Sequence, residues 1–152
     1  MTVIVWDGKT LAADKMACYN DMQFTVDKLH VRWKQGEEIA LAVSGTLNEG
    51  MAMIAWFLRD GSVDEFPKVK EENFTRLIVA QKSKSLLIFE NHGEPIIYKD
   101  KYCAFGSGSE LAMGALDAMA FLGITPDAIK VVEIVSGRST TCGFGYDFHT
   151  FE

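Results

Sequence analysis

The chain has little of several things that commonly announce a function. It holds three cysteines, Cys18, Cys103 and Cys142, with no Cys-x-x-Cys pair among them. Metal-ligand spacing is therefore absent, and an odd, dispersed set argues against a disulfide framework. His30, His92 and His149 are scattered and read as surface or internally satisfied side chains. No apolar stretch reaches the roughly 18 residues that would cross a bilayer, and the N-terminus lacks a signal-peptide pattern. The net charge is −6 and no basic cluster is dense enough to follow a phosphate backbone, which excludes nucleic acid as the expected partner. There is no internal repeat, low-complexity tract or linker. These absences predict a single domain over residues 1–152, with no metal, cofactor or membrane partner, working in a reducing cytoplasm.

What is present is a regular succession of strand and helix signals. Val3–Trp6 and Thr10–Ala13 flank an Asp7-Gly8-Lys9 turn and read as a β-hairpin. A second hairpin is expected from Phe24–Trp33 and Ile39–Ser44, hinged at Lys34-Gln35-Gly36. Thr46 and Glu49 have capping-box spacing and predict a helix with Met51, Ile54, Ala55, Phe57 and Leu58 on one side, closed by Gly61. After a loop over Ser62–Glu71, Leu77–Gln81, Ser85–Phe89, Pro95–Tyr98 and Tyr102–Phe105 read as strands. Gly106-Ser107-Gly108-Ser109-Glu110 opens a second helix with Leu111, Ala115, Leu116, Met119 and Leu122 on its period, stopped by Gly123. Thr125-Pro126 predicts an N-cap and first helical position for a third helix ending at Gly137, and Thr140–Phe151 favours strand. This order predicts an α+β fold with helices outside mostly antiparallel sheets.

The most compact chemistry lies at the N-terminus. With Met1 removed, Thr2 would carry a hydroxyl and a free α-amine on one residue: a nucleophile with a base that is partly neutral near pH 7. Asp14, Lys28, Gly45 and Ser107 each also have an ordinary reading. Asp14 suits a turn carboxylate, Lys28 an exposed pair with Asp27, Gly45 a strand-to-helix turn, and Ser107 a capping box with Glu110.

Taken together, these residues resemble the proteasome β-subunit superfamily of N-terminal nucleophile hydrolases, and its HslV branch in particular. Thr2 with Val3-Ile4-Val5 is similar to the family's nucleophile and its strand. Ala12-Ala13-Asp14 matches its small-small-Asp, and Lys28 stands at its active-site lysine. Gly106-Ser107-Gly108 matches its Gly-Ser-Gly signature, and Gly45 in Val43-Ser44-Gly45-Thr46 its oxyanion-hole glycine. Ser136-Gly137-Arg138-Ser139 lacks the aspartate of the Asp-x-x-Ser-Gly accessory that many proteasome subunits carry.

The resemblance implies a four-layer αββα sandwich and a threonine-type peptidase with Thr2, Asp14, Lys28, Gly45 and Ser107 as its site. It implies no cofactor. Its implied partners are further copies of the chain in a ring or stacked rings, a ring ATPase unfoldase, and a peptide or unfolded substrate. Physically, a cation at Lys28 would favour the deprotonated hydroxyl and amine, Asp14 would hold that cation, and Ser107 would orient the amine. Backbone N–H groups about Gly45 would receive the oxyanion. Retention of Met1 would bury the amine in a peptide bond and leave a non-catalytic, proteasome-like assembly protein. A small-molecule amidase is a third expectation.

Overall fold

The first hairpin forms where the sequence places it. Strands β1 (Ile4–Trp6) and β2 (Thr10–Asp14) pair antiparallel, Val5 opposite Ala12. Their turn is held by the Asp7 carboxylate, whose Oδ1 accepts the N–H groups of Lys9 (3.0 Å) and Thr10 (2.7 Å). The structure, a computed structural model, describes residues 1–152. The chain forms two compact units: residues 1–29 with 100–152, and residues 30–99.

In the first unit, β1 and β2 are continued on either side by β10 (Cys103–Phe105) and β11 (Tyr146–Thr150), giving a four-stranded antiparallel sheet of order β10-β1-β2-β11. Every residue of β1 and β2 is buried, so both faces of these central strands are covered. That explains their continuous apolar runs where a half-exposed strand would alternate. A separate two-stranded ribbon, β3 (Met16–Tyr19) with β4 (Met22–Thr25), follows β2. It corrects the expectation of one strand from Phe24 to Trp33. The residues there fall in two elements, β4 and β5 (Leu29–Lys34), broken at Val26-Asp27-Lys28.

Helices α2 (Ser109–Phe121) and α3 (Ala128–Arg138) pack on the sheet. The face of α3 is Ala128, Val131, Val132 and Val135, the i, i+3, i+4, i+7 stripe of an amphipathic helix. It meets Val3, Val5 and Ala12 of the sheet and Ala112 and Leu116 of α2. Full burial of each valine is worth about 1.5–3 kcal/mol against leaving it in water. The start signal of α3 is corrected. The cap of α3 is Asp127, whose side chain accepts the Lys130 N–H at 3.1 Å, so Thr125 and Pro126 lie before the helix. Asp7 Oδ2 also accepts the Ala128 N–H at 2.9 Å, tying the first hairpin to the start of α3. Of the expected face of α2, Leu116 is buried and Ala115 and Met119 pack against the core, but Leu111 and Leu122 are exposed and Ala112 is buried in addition.

The second unit is a five-stranded sheet of order β5-β6-β7-β8-β9, with β6 (Glu37–Ser44), β7 (Arg76–Gln81), β8 (Leu86–Phe89) and β9 (Ile96–Tyr98) pairing antiparallel in succession. Helix α1 (Leu47–Leu58) lays Met53, Ile54 and Trp56 against Ile39, Leu41, Val43, Leu77, Val79 and Phe89. Met51 and Ala55, expected on the buried side, are exposed. The segment expected as loop carries two 3-10 turns, Val63–Glu65 and Glu71–Asn73, the first with a complete capping box between Ser62 and Glu65.

Candidate active site

Four of the five residues singled out in the sequence meet in the first unit. Asp14, the last residue of β2, is fully buried and its carboxylate is surrounded by donors. Oδ1 accepts the Val3 N–H (3.0 Å) and the Lys28 ammonium (2.8 Å). Oδ2 accepts the N–H groups of Gly143 (3.0 Å) and Met16 (3.3 Å). The ordinary reading of Asp14 as a turn carboxylate is excluded by this environment.

Lys28 is also 2 % exposed, and it lies in the break between β4 and β5, where no ladder fixes the backbone. Its ammonium bridges Asp14 and the carbonyl oxygen of Met1, 3.1 Å away. The alternative pairing with Asp27 does not occur; Asp27 pairs with Lys15 instead. A buried ion pair is a poor stabiliser, because desolvation of the two charges offsets most of their attraction. Its position at the Met1–Thr2 peptide is therefore informative.

Thr2 itself is buried and sits in a backbone cradle. Its N–H donates to Ser107 Oγ at 3.0 Å, and its carbonyl accepts the Gly108 N–H at 3.1 Å and the Ser107 hydroxyl at 3.4 Å. The Val3 carbonyl then accepts the Asp14 N–H at 3.2 Å, continuing the pairing of the two strands towards Thr2. Ser107 is thus not a helix cap. The N-cap of α2 is Gly108, with no side-chain capping bond, and the Ser107 hydroxyl is turned onto Thr2.

Two site residues were not singled out from the sequence. Gly106 has φ +92°, and a Cβ there would lie 2.2 Å from the Thr2 carbonyl oxygen and 3.1 Å from Thr2 Cβ. Only glycine allows the β10–α2 turn to approach Thr2 so closely. Gly143 supplies an N–H to Asp14 from the segment before β11. The signal for the first was on view as the leading glycine of Gly106-Ser107-Gly108; a lone backbone donor such as Gly143 carries none.

Gly45, the fifth residue, belongs to the second unit, on the turn from β6 to α1. Its φ is +89°, and a Cβ would fall 2.6 Å from Thr75 Cα, so glycine is required there on two counts. The turn is braced by Thr75 Oγ1, which accepts the Thr46 N–H (3.2 Å) and donates to Glu49 (3.1 Å). Glu49 also accepts from the Asn73 amide (2.6 Å) and the Lys70 N–H (2.8 Å). These donors, Asn73 foremost, hold its carboxyl below the usual carboxylate range. The expected Thr46–Glu49 capping box is therefore replaced by a bridge from α1 to residues 70–75.

No group of three or more His, Cys, Asp or Glu side chains is arranged to hold a metal ion. No helix is long and apolar enough to cross a membrane.

The fold in which these residues are set is that of the N-terminal nucleophile hydrolases of HslV and proteasome type, with antiparallel sheets and three helices. No protein-family model matches the chain, and no curated protein sequence does. Solved structures do. The eukaryotic HslV of Trypanosoma brucei superposes with a TM-score of 0.71 at 18% identity, covering 99% of this chain and 98% of that one. The BPH protein of Thiobacillus denitrificans, solved with epoxomicin, gives 0.66 at 16% identity, over 99% and 97% of the two chains. Anbu, described as an ancestral β-subunit, from Yersinia bercovieri gives 0.67 at 14% identity, over 99% and 81%. At these identities the likeness is one of fold.

Proposed function

We propose that the chain is a threonine-type peptidase in which the Thr2 hydroxyl is the nucleophile and its own α-amine, freed by removal of Met1, is the base. The observation that carries this reading is the buried Lys28–Asp14 pair, whose ammonium ends on the Met1–Thr2 peptide rather than in solvent. A site of this kind needs a fixed positive charge beside a weak nucleophile, and the fold bears the cost of burying one there.

In the processed chain the α-amine would keep Ser107 Oγ as its hydrogen-bond partner, the position now taken by the Thr2 amide. The amine takes the hydroxyl proton, directly or through one water, as Thr2 Oγ adds to the substrate carbonyl carbon. Lys28, held by Asp14, stabilises the charge developing at Thr2 Oγ. On the resemblance, backbone N–H groups would receive the oxyanion, worth about 3–4 kcal/mol each where such donors have been deleted. Collapse expels the amine product, which leaves with the proton from the Thr2 ammonium. Water, activated by the same amine, then hydrolyses the Thr2 ester.

The resemblance to HslV supports further copies of the chain as partners, in a ring or stacked rings, with a ring ATPase delivering unfolded protein in the cytoplasm. Hydrolysis of fluorogenic peptides by the untagged protein tests the reading. Thr2→Ala is expected to abolish turnover and Thr2→Ser to retain part of it. A Thr2→Ala protein as fast as wild type overturns the proposal. A second reading rests on the same hydrogen bond. While Met1 is in place, Lys28 is satisfied by its carbonyl and the Thr2 nitrogen is an amide, so an unprocessed chain would keep the fold without a base, as an assembly protein.

A further inference from the structure

The sequence contains two Asp-Lys dipeptides, Asp14-Lys15 and Asp27-Lys28, and the structure pairs them head to tail. The inner rung is Asp14–Lys28 at 2.8 Å, with both side chains almost wholly buried. The outer rung is Lys15–Asp27 at 3.2 Å, with charges reversed and side chains 25% and 68% exposed. Consecutive residues of extended chain point to opposite faces, so an inward Asp14 sends Lys15 outward. Asp27 and Lys28 repeat the division from the other side. Between the rungs the backbones are joined, with the Val26 N–H donating to the Lys15 carbonyl at 2.8 Å.

Lys15 reaches a third element as well. Its ammonium lies 3.5 Å from Asp147 of β11, and its N–H donates to the Gly143 carbonyl at 3.0 Å. Gly143 in turn supplies the N–H that holds Asp14 Oδ2. Lys15 is therefore bonded to both segments that fix the inner pair: the one that carries Lys28 and the one that steadies Asp14. Residues 26–28 lie between β4 and β5; the Val26 bond to Lys15 carries the β3–β4 pairing one step past Thr25, and beyond it the Lys15–Asp27 pair ties the segment at its solvent edge. The two carboxylates, Asp27 first and then Asp147, hold the Lys15 ammonium above its usual range.

We infer that Lys15 and Asp27 form an electrostatic latch that sets the register of residues 26–28, so that Lys28 and not its neighbour is delivered to Thr2. Lys15 is then a positioning residue acting through Lys28, a role that rests on the peptidase reading above. The latch is at the solvent edge and open to screening, whereas the inner pair it supports is not. Ionic strength should therefore act on the site through the outer rung alone.

The test uses the untagged, full-length protein. Lys15→Met is expected to lower kcat for a fluorogenic peptide about two- to fivefold with KM unchanged, the range of an exposed ion pair. Wild type should lose activity towards the same level as salt is raised, while Lys15→Met should be nearly insensitive to salt. Lys15→Glu should be more damaged, since it faces Asp27 and Asp147, and Asp27→Lys in the same chain should restore part of the loss. In parallel, amide exchange is followed at Val26 and Gly143, which should quicken in Lys15→Met without any reference to turnover. A Lys15→Met rate and salt response equal to wild type overturns the latch, whatever the exchange shows. Should wild type show no turnover, the peptidase reading fails by itself, and unchanged exchange at Val26 and Gly143 then overturns the latch separately.

Discussion

Removing Asp14 should cost far more than removing Lys28, although the two share one ion pair. In Lys28→Met the Asp14 carboxylate keeps three backbone N–H donors, from Val3, Met16 and Gly143. In Asp14→Ala the Lys28 ammonium is left buried with only the Met1 carbonyl, and those three N–H groups lose their acceptor together. Removing either partner of a buried pair leaves a buried charge, at a cost of about 3–5 kcal/mol where nothing else satisfies it. The three N–H donors offset part of that cost for Asp14, where a single carbonyl does little for Lys28. Each orphaned buried donor adds about 1–3 kcal/mol before relaxation, and the sum is less than additive. We therefore expect Asp14→Ala to destabilise the chain by at least ~4 kcal/mol and Lys28→Met by about 1–3 kcal/mol. Urea denaturation at pH 7 reads the difference as a shift in midpoint at constant slope. In chains that have lost Met1 the gap should widen, because Lys28 then loses its second acceptor. Equal losses, or a larger loss for Lys28→Met, would refute the assignment of Asp14 as the hub of the site.

Gly106→Ala would drive a Cβ to 2.2 Å from the Thr2 carbonyl oxygen at a left-handed φ; it should cost about 2–5 kcal/mol and abolish peptide turnover, read by thermal melting and hydrolysis. Cys103 is pushed up to about 12, first by burial and then by Asp100, so native protein treated with iodoacetamide at pH 8 should be alkylated at half-buried Cys18 well before Cys103. A raised thiol value also sets a sign: its contribution to stability is complete below the unfolded value, about 8.5, and is lost as pH rises towards the folded one, so Cys103→Ala should flatten the alkaline decline seen in chemical denaturation. Asp7→Ala removes an acceptor shared by Lys9, Thr10 and the first N–H of α3, and should cost about 1–2 kcal/mol by the same assay.

The element order was legible because it depends on short-range signals, turn glycines and apolar runs; the meeting of Thr2, Asp14, Lys28 and Ser107, which lie far apart in the chain, was expected only from the resemblance. Helix faces were less legible. Leu111 and Leu122 fit the period of α2 about Leu116 as well as Ala112 does, and only packing against α3 and the sheet decides which of them is covered. Capping boxes failed for a related reason. Ser107 and Glu49 have the right spacing to cap their own helices, but Thr2 and residues 70–75 lie within reach and compete for the same groups. The break at residues 26–28 was hidden inside an apparently continuous strand pattern, and with it the pairing of the two Asp-Lys dipeptides. Gly143 acts through a backbone N–H, which no side-chain pattern records.

The proposed peptidase depends on Thr2 acting as a nucleophile with a free α-amine. The intact mass of untagged protein, taken on the same preparation used for peptide hydrolysis, tests it most directly. The expected chain is lighter than the encoded one by a single methionine residue, with turnover in proportion to the fraction so processed. Full encoded mass with turnover intact would contradict it.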